Sequence, residues 1–372
     1  MKLLSDQRKL YLLAAALLAL TVILCFVWQL WRRPESAEPV PSATPGSPIV
    51  SPLPLPTPDE TVHPASNSTA SPASSSTVDT IVYYQDNSGY LVPVMKRIDQ
   101  QQGIAKATLS LMVSSPRNDM EAARLGLRTV LPEGTEIDLD ISGGTARVDL
   151  GGAVSSLPDA ASESNMVSAI VQTLTEFDTV KTVRFLIDGQ EVDQLAHGTS
   201  VSGDFSRGLL NLESASASLN PEEAKTVMLY FPGETGSLIV PVTRMVYGEA
   251  DVNTAVLELA KGPSASSPLE STLPSGCGLI DVTTDENSGK VTINFTREFI
   301  SIAEKADGGR QTLKALLLTC SQFPGVSSVE ILVEGVPYDV GISTASIPTT
   351  VNIADEIVGQ FLEAQASLLF EE

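Results

Sequence analysis

Two short stretches of this chain are nearly the same and decide how it folds. They read YLVPVMKRI at residues 90–98 and LIVPVTRMV at residues 238–246. An aromatic pair and a Gly-containing stretch precede each one, which is typical of a β-hairpin. Proline lacks an amide hydrogen, so we expect each strand to run along a sheet edge or to bulge at Pro93 and Pro241. Because both copies have the same edge strand, we expect that edge either to be protected from pairing with another strand or to be used for such pairing.

Further matches follow these stretches in the same order. They pair VLPEG at 130–134 with TLPSG at 272–276, TARVDLG at 145–151 with KVTINFT at 290–296, and VRFLIDG at 183–189 with VEILVEG at 329–335. Because the order is preserved throughout, the matches indicate a duplicated domain.

Hydrophobic periodicity predicts the elements of each copy. TARVDL and KVTINF alternate as strands do, whereas one apolar helical stripe recurs in both copies. Its members are Val167, Ile170, Val171, Leu174 and Phe177 in the first copy, and Leu313, Leu316, Leu317, Cys320 and Phe323 in the second. The fold class is therefore α+β, with two tandem small α/β sandwich domains. We expect about five strands in one sheet per copy, with two helices on one face.

The chain begins with a predicted membrane anchor. Residues 10–31 form an uncharged run flanked by basic residues, and about 22 residues at about 1.5 Å each can cross a bilayer. A cleaved signal peptide and a lipoprotein acylated at Cys25 are the alternatives, although the run ends in Trp-Gln-Leu-Trp and bulky Leu24 precedes the cysteine. The basic residues slightly favour an N-terminus inside and the rest of the chain outside.

Residues 32–78 are rich in Pro, Ser and Thr and cannot bury a core, so they predict an extended, disordered stalk. A cytosolic spacer that binds proline-reading domains requires the opposite orientation. The predicted organisation is listed here in order: cytoplasmic tail 1–9, transmembrane helix 10–31, stalk 32–78, first domain 79–205, linker 206–224, second domain 225–347 and C-terminal helix 348–372. That last helix packs back on a domain or docks a partner.

This order of elements resembles the GerM domain family. The residues that carry the resemblance are Val92, Pro93, Val94, Leu131, Pro132, Gly134 and Gly189 in the first copy, and Val240, Pro241, Val242, Leu273, Pro274, Gly276 and Gly335 in the second. The resemblance implies an extracytoplasmic, non-enzymatic module of sporulation or germination. It also implies a fold similar to the ring-building motifs of secretion assemblies. Tandem members of that family are often lipoproteins, whereas a membrane span is predicted here.

The chain has few residues suited to catalysis. Only His63 and His197 exist, and a Ser or Cys nucleophile usually requires a histidine base, so we assign no catalytic residue. The carboxylates Asp138, Asp140 and Asp149, with Asp281 and Asp285 in the second copy, suit either a hydrolytic pair or solvated strand faces. The stretch DENSG at 285–289 lacks the alternating ligands of a calcium loop and predicts a hairpin turn.

The cysteine content and the net charge limit the kinds of ligand and partner that the chain can bind. Cys277 and Cys320 are expected to be unpaired and are too few for structural zinc, so we assign no metal and no cofactor. The net charge of −22 disfavours nucleic acid and anionic lipid surfaces.

The sequence thus predicts a membrane-anchored, extracytoplasmic scaffold that contacts envelope or sporulation proteins or itself. A peptidoglycan-binding adaptor that positions a cell-wall hydrolase is the alternative, and a carboxylate hydrolase is the third hypothesis.

Overall fold

The structure is a computed structural model, and it describes residues 76–213, 225–234, 237–305, 307, 309–338 and 352–354. These residues lie in one compact unit that spans Ser71–Glu372. The predicted membrane helix, almost all of the stalk and most of the predicted C-terminal helix fall outside the described residues. Within the described ranges, no helix is long and apolar enough to cross a membrane.

The first copy contains a hairpin, three helices and a four-stranded sheet. In chain order its elements are β1 (Thr77–Gln85), β2 (Leu91–Asp99), α1 (Ile104–Ser110), α2 (Pro116–Ala123), β3 (Ile137–Ser142), β4 (Thr145–Leu150), a 3₁₀ turn (Gly152–Ser156), α3 (Ala160–Leu174), β5 (Thr182–Ile187) and β6 (Asp204–Ser206). The helix α2 has no counterpart in the second copy and was not predicted. Its start is marked by Ser115, whose side chain accepts the N–H of Asn118 ahead of a helix that begins with proline.

The second copy repeats this plan with one helix fewer. Its elements are β7 (Lys225–Pro232), β8 (Ile239–Val246), α4 (Val252–Ala260), β9 (Leu279–Asp285), β10 (Lys290–Phe295), a 3₁₀ turn (Arg297–Glu304), α5 (Arg310–Ser321), β11 (Ser328–Val333) and β12 (Val336–Pro337). The predicted hairpin turn at residues 285–289 is confirmed, since β9 and β10 pair antiparallel around it and Asp285 accepts the N–H of Asn287.

The strands of each copy form two sheets, so the expected single sheet of about five strands is wrong. Among the described strands, β1 pairs with β2 and β7 with β8, whereas the four-stranded sheets have the orders β3-β4-β5-β6 and β12-β11-β10-β9. The reason is that a helix covers the free side of each hairpin. Thr173 of α3 accepts the N–H of Tyr83, and Gln322 just after α5 both donates to and accepts from the backbone of Met228.

The apolar stripe of the long helix fills the core in both copies, as predicted. Val167, Ile170, Val171 and Leu174 are buried on α3, and Leu313, Leu316, Leu317 and Cys320 are buried on α5. The last members of the predicted stripes, Phe177 and Phe323, follow the helices and are partly buried against the core. The helix α3 starts at Asp159, whose side chain accepts the N–H of Ser162 at 2.8 Å. Against these helices lie the buried sides of the parallel pairs β4–β5 and β10–β11, including Val148, Phe185, Ile293 and Ile331.

Glycine is required in the turn between β9 and β10. Gly289 has a φ of 67°, and a Cβ atom there would lie 2.2 Å from the carbonyl oxygen of Gly325. Gly143 in the β3–β4 turn also has a positive φ, at 59°, but its Cβ would meet nothing within 4 Å. A side chain at either position would require an unfavourable left-handed backbone conformation. Only at Gly289 would its Cβ atom also clash with a backbone atom.

We therefore expect Gly289→Ala to cost more stability than Gly143→Ala. The left-handed conformation alone costs about 1–2 kcal/mol, and overpacking adds about 1–3 kcal/mol at Gly289. Urea unfolding of the two variants measures the difference. Equal losses of stability would show that the Gly289 turn moves away from Gly325 without cost.

Candidate functional site

The Val-Pro-Val strands β2 and β8 face each other at a joint between the two copies. Each lies at the edge of its hairpin, as predicted, but neither edge is open, because Val92, Val94, Val240 and Val242 are each no more than 1% exposed. The edge is therefore used within the chain. Intermolecular pairing at the Val-Pro-Val segments, which the sequence left open, would require this joint to open.

Two asparagine side chains, those of Asn211 and Asn352, form hydrogen bonds to both copies at this joint, and we call the pair the asparagine clasp. Asn352 accepts the N–H of Ile239 at 2.8 Å through Oδ1 and donates through Nδ2 to the carbonyl oxygens of Ile239 and Pro93, both at 2.9 Å. The side chain therefore bonds β8 of its own copy and β2 of the other copy. Asn352 is only 3% exposed, so its amide replaces a strand partner for both edges in a buried setting.

Asn211 makes the same set of bonds on the other side of the joint. Its Oδ1 accepts the N–H of Leu91 at 2.8 Å, and its Nδ2 donates to the carbonyl oxygens of Leu91 and Pro241 at 2.8 and 2.7 Å. Asn211 has a φ of 50°, in the left-handed region that asparagine tolerates better than most residues. The two asparagines thus relate the copies by an approximate twofold symmetry.

The prolines suit this clasp. Pro93 lies opposite Tyr83 in the β1–β2 register, and its carbonyl oxygen points out of the hairpin toward Asn352. In an antiparallel strand the N–H and C=O of one residue point to the same side. An ordinary residue here would aim a donor at the joint, where the Asn352 amide already supplies a donor. Proline removes that group, and Pro241 does the same opposite Asn211.

The segment that follows each copy, here called its tail, also bonds to the other copy through its backbone. Met95 donates to the carbonyl oxygen of Asn352 at 2.7 Å, and Thr243 donates to that of Leu210 at 3.0 Å. Each tail therefore pairs in parallel with the Val-Pro-Val strand of the other copy. The sequence predicts residues 209–213 as part of the linker at 206–224 and residues 352–354 as part of the C-terminal helix at 348–372.

A sequence signal for the clasp exists but was missed. The tails read LLNLE at residues 209–213 and TVNIA at residues 350–354, so an asparagine between two apolar residues follows each copy. This match continues the order of the repeat beyond its predicted ends.

The basic residue after each Val-Pro-Val also has one role in both copies. The Lys96 Nζ lies 2.6 Å from Glu121 and 5.8 Å from the centre of the Tyr84 ring. In the second copy the Arg244 guanidinium lies 5.7 Å from the Phe231 ring. Each strand is thus joined to a buried aromatic residue of its own hairpin by a cation–π contact.

Arg244 also fixes the chain that leaves the first copy. Its Nε and Nη2 bond the two carboxylate oxygens of Glu213 at 2.6 and 3.1 Å, and its Nη1 bonds Glu258. Burial alone would lower the pKa of Arg244, but the two carboxylates outweigh it and raise the pKa. The group therefore remains a cation, and its ion pairs are largely buried, with side-chain exposures between 10 and 17%.

A tyrosine cluster joins the copies at another point. Tyr83 donates to Glu176 at 2.8 Å, and Arg207 donates to the Tyr83 hydroxyl at 2.8 Å. Tyr230 of the second copy lies within electrostatic range of this pair. Burial, opposed by Arg207 and aided by Glu176, raises the pKa of Tyr230 to about 12. Both hydroxyls are therefore neutral near pH 7, and that of Tyr83 acts as a hydrogen-bonding group.

The Leu-Pro-x-Gly motifs form the same turn in each copy. Leu131 and Leu273 are buried, and the N–H groups of Thr135 and Cys277 donate to the carbonyl oxygens of the two motif prolines, Pro132 and Pro274. The motif glycines Gly134 and Gly276 have φ values of 77° and 78°, as the third position of a type II turn requires. The residues of these two motifs thus position loops.

Gly189 and Gly335 end the β5 and β11 segments in tight turns. Both they and the residues before them, Asp188 and Glu334, have positive φ, which identifies two type I′ turns. The Gly189 N–H donates to Asp149 at 2.9 Å, and the Gly335 N–H donates to Asn294 at 2.9 Å. Asp149 therefore holds a hairpin, as Asn294 does in the other copy.

The remaining carboxylates singled out by the sequence lie on paired strands. Asp138 lies directly opposite Asp149 in the β3–β4 register, Asp140 lies opposite Arg147, and Asp281 accepts a bond from Asn294. No group of three or more His, Cys, Asp or Glu side chains suited to a metal ion is found in the described part of the chain.

Cys277 and Cys320 are free thiols, and Cys320 is fully buried on α5. Burial raises the pKa of Cys277 to about 11 and that of Cys320 to about 12. Since the thiolate is the reactive form, neither is suited to be a nucleophile near neutral pH.

His197 belongs to a loop that a buried carboxylate holds. Its Nε2 lies 2.6 Å from the carbonyl oxygen of Leu157, and its backbone N–H donates to Glu163 at 2.8 Å. Glu163 also accepts the backbone N–H of Thr199 and is fully inaccessible to solvent. Burial raises the pKa of Glu163, but these bonds outweigh it and hold the pKa below its usual value. The residue has a structural role.

This environment predicts an acid dependence of stability. Because the folded-state pKa of Glu163 is lowered, its stabilisation is present above the unfolded-state pKa, about 4.3, and is lost as the pH falls through the folded-state value. We therefore expect Glu163→Gln to be less stable than the wild type at pH 7, with the difference shrinking below about pH 4. Urea unfolding as a function of pH measures this. Exposed Glu133→Gln is the control and should follow the wild type, whereas a pH-independent difference at Glu163 would contradict the assignment.

Comparisons with known proteins agree with this tandem architecture. A family model, "Germane: Sporulation and spore germination", matches residues 81–193 and again residues 228–339. The chain is 30% identical over 269 residues to the spore germination protein GerM of Bacillus subtilis, covering 70% of this chain and 73% of that protein.

A solved structure of the tandem GerMN domains of Bacillus subtilis GerM superposes with a TM-score of 0.60 at 28% identity, covering 75% of this chain and 99% of that one. The duplicated hairpins, the paired turns and these matches lead to one assignment. The chain belongs to the Germane family of sporulation and spore germination proteins, and it carries two copies of the family's domain.

Proposed function

We propose that this chain is a non-enzymatic scaffold that organises envelope complexes in sporulation or germination through contacts between proteins. Residues 10–31 would anchor it in the cytoplasmic membrane, with both domains outside the cytoplasm. Family membership supports a role in sporulation or germination as the general process. The observation that carries the proposal is the clasp of Asn211 and Asn352, which holds two copies of one module in a defined arrangement.

The chemistry of the described residues supports a binding role over a catalytic one. His197 contacts a backbone carbonyl and no nucleophile, Asp149 holds a hairpin, and both thiols have raised pKa values. These groups have structural partners instead of the nucleophile, base and orienting group that acyl transfer requires.

The surface that we assign to partners is the outer edge of the two four-stranded sheets. β3 and β9 are equivalent strands, and each is the end strand of its sheet. Ile141 on β3 is 37% exposed and Ile280 on β9 is 51% exposed. Among the described residues no further strand pairs with β3 or β9, although α1 packs against β3 and α4 against β9. Because an unpaired strand edge can be a template for pairing with another chain, one molecule presents this edge twice.

Light scattering of the full-length protein in detergent, alone and mixed with ectodomains of sporulation-envelope proteins, tests the proposal. We expect self-assembly or a complex that the double substitution Ile141→Lys and Ile280→Lys abolishes. Met120→Lys is the matched control, since Met120 is 51% exposed on α2, outside both sheets. The proposal would be contradicted by a monomer that binds none of these ectodomains, or by hydrolytic activity of the purified protein. Charges on β2 or β8 are unsuitable here because they would break the joint.

A further inference from the structure

A groove opens beside the joint and is lined by both copies. Its walls are the first hairpin turn at residues 88–91, the N-terminal half of α3, the tail at residues 209–212, and Ser266 and Pro268 of the second copy. The volume is about 460 Å³, within the range of about 300–1,000 Å³ typical of small-molecule sites. The groove is complete only when the two copies are docked.

The lining combines free hydroxyl groups with apolar surface and has no charged side chain. The hydroxyls of Ser88, Ser164 and Ser168 bond to no other residue in the described ranges, so they are available to a ligand. Leu209 and Leu212 add apolar contact area and are 55% and 50% exposed. A neutral groove on a chain of net charge −22 disfavours strongly charged ligands and favours an uncharged molecule rich in hydroxyl groups.

Comparison with the second copy shows that the fold does not require these serines. Asn165 donates to the carbonyl oxygen of Gly89, and Gln311 makes the equivalent bond to that of Ser237, so the two helices meet their hairpins alike. In that alignment, Ser164 corresponds to Arg310 and Ser168 to Lys314. The same helix thus carries two cations in one copy and two hydroxyls in the other.

The groove does not suit an extended peptide. Strand addition needs free backbone groups, but both the N–H and the C=O of Leu91 are taken by Asn211. The free groups are side-chain hydroxyls, which match the alternating donors and acceptors of a sugar. The apolar C–H faces of a sugar ring, or the methyl of an N-acetyl group, would pack on the two exposed leucines.

We propose that this groove binds a short uncharged saccharide, of the N-acetylated kind that forms the glycan strands of bacterial envelopes. The site gives a physical location to the peptidoglycan-binding alternative and does not depend on the scaffold role, because it uses neither β3 nor β9. Ser164 and Ser168 would bond sugar hydroxyls, and Leu209 and Leu212 would contact the ring faces.

Isothermal titration calorimetry of the full-length protein in detergent with the N-acetylglucosamine tetramer tests the site. The variant Ser164→Arg/Ser168→Lys places the second copy's residues in the groove and is expected to weaken binding at least tenfold. Arg310→Ser, at the equivalent place in the other copy, is the control and should bind as the wild type does. Since α5 already carries Arg310 and Lys314 at these positions, a helix of this fold accommodates both side chains.

A second variant tests whether weaker binding results from the lost hydroxyl groups or from misfolding. Ser164→Ala/Ser168→Ala removes only the two hydroxyls and should weaken binding at least threefold with the thermal unfolding midpoint unchanged. Binding that persists in both double variants, or an absence of heat with the tetramer, would overturn the proposal. So would selective binding of a free stem peptide in place of the sugar. None of these outcomes depends on the light-scattering result, so the two proposals fail separately.

Discussion

Replacement of Asn352 by alanine is expected to lower the free energy of unfolding by about 3–5 kcal/mol. The substitution leaves three backbone groups without a partner, namely the N–H and C=O of Ile239 and the C=O of Pro93. A buried polar group that loses its partner costs about 1–3 kcal/mol, and entry of water into the space reduces the sum. Urea unfolding of the full-length protein measures the loss.

Asn352→Asp separates hydrogen bonding from side-chain volume. The aspartate has nearly the same shape, but as an ion it cannot donate to the two carbonyl oxygens and adds a buried charge. Burial would raise the pKa of this aspartate in the folded state, so its destabilisation relative to the wild type should be greater at pH 7 than near pH 4. An equal deficit at both pH values would mean that the aspartate has moved into solvent.

Asn87→Ala is the matched control for both variants. Asn87 is exposed in the first hairpin turn, and its loss is expected to change stability by no more than about 0.5 kcal/mol. If Asn352→Ala also fell within that range, the clasp would contribute nothing to the docked state, and the defined arrangement that supports the scaffold would lose its basis.

The duplication and the core were predictable because they depend on local patterns. The helical stripe from Val167 to Leu174 and its equivalent on α5 follow from periodicity, and the hairpin turns follow from glycine positions. Both are properties of a few neighbouring residues. The edge position of the Val-Pro-Val strands followed from the missing amide hydrogen of proline alone.

The joint could not be derived in the same way. The role of Asn211 depends on Leu91 and Pro241, and that of Asn352 depends on Pro93 and Ile239, which are distant in sequence. A polar residue after a predicted domain end is ordinary in a linker, and only its recurrence marks it. The division of the strands into two sheets was missed for a similar reason, since the hydroxyl of Thr173 replaces a neighbouring strand beside Tyr83.

Substitution of Arg244 by methionine is expected to lower the free energy of unfolding by about 3–5 kcal/mol. Methionine fills part of the space but leaves the largely buried carboxylate of Glu213 without a cation, whereas Glu258 keeps its second ion pair with the exposed Lys261. The variant also frees the carbonyl oxygen of Gly262, to which Arg244 donates at 2.9 Å. Urea unfolding measures the loss, and Lys225→Ala is the control. The pair between Lys225 and Glu249 is exposed, so its removal should cost less than about 1 kcal/mol.

A double substitution identifies the cause of that loss. If the unpaired carboxylate of Glu213 destabilises Arg244→Met, then neutralising it in Arg244→Met/Glu213→Gln should restore part of the stability. Glu213→Gln alone should be destabilising, because it removes one charge of the bidentate pair from an otherwise intact site. The two effects would then have opposite signs, which packing loss at Arg244 cannot produce. Simple addition of the two losses would instead show that Arg244 acts by filling space over Phe231, and that Glu213 does not fix the tail to the second copy.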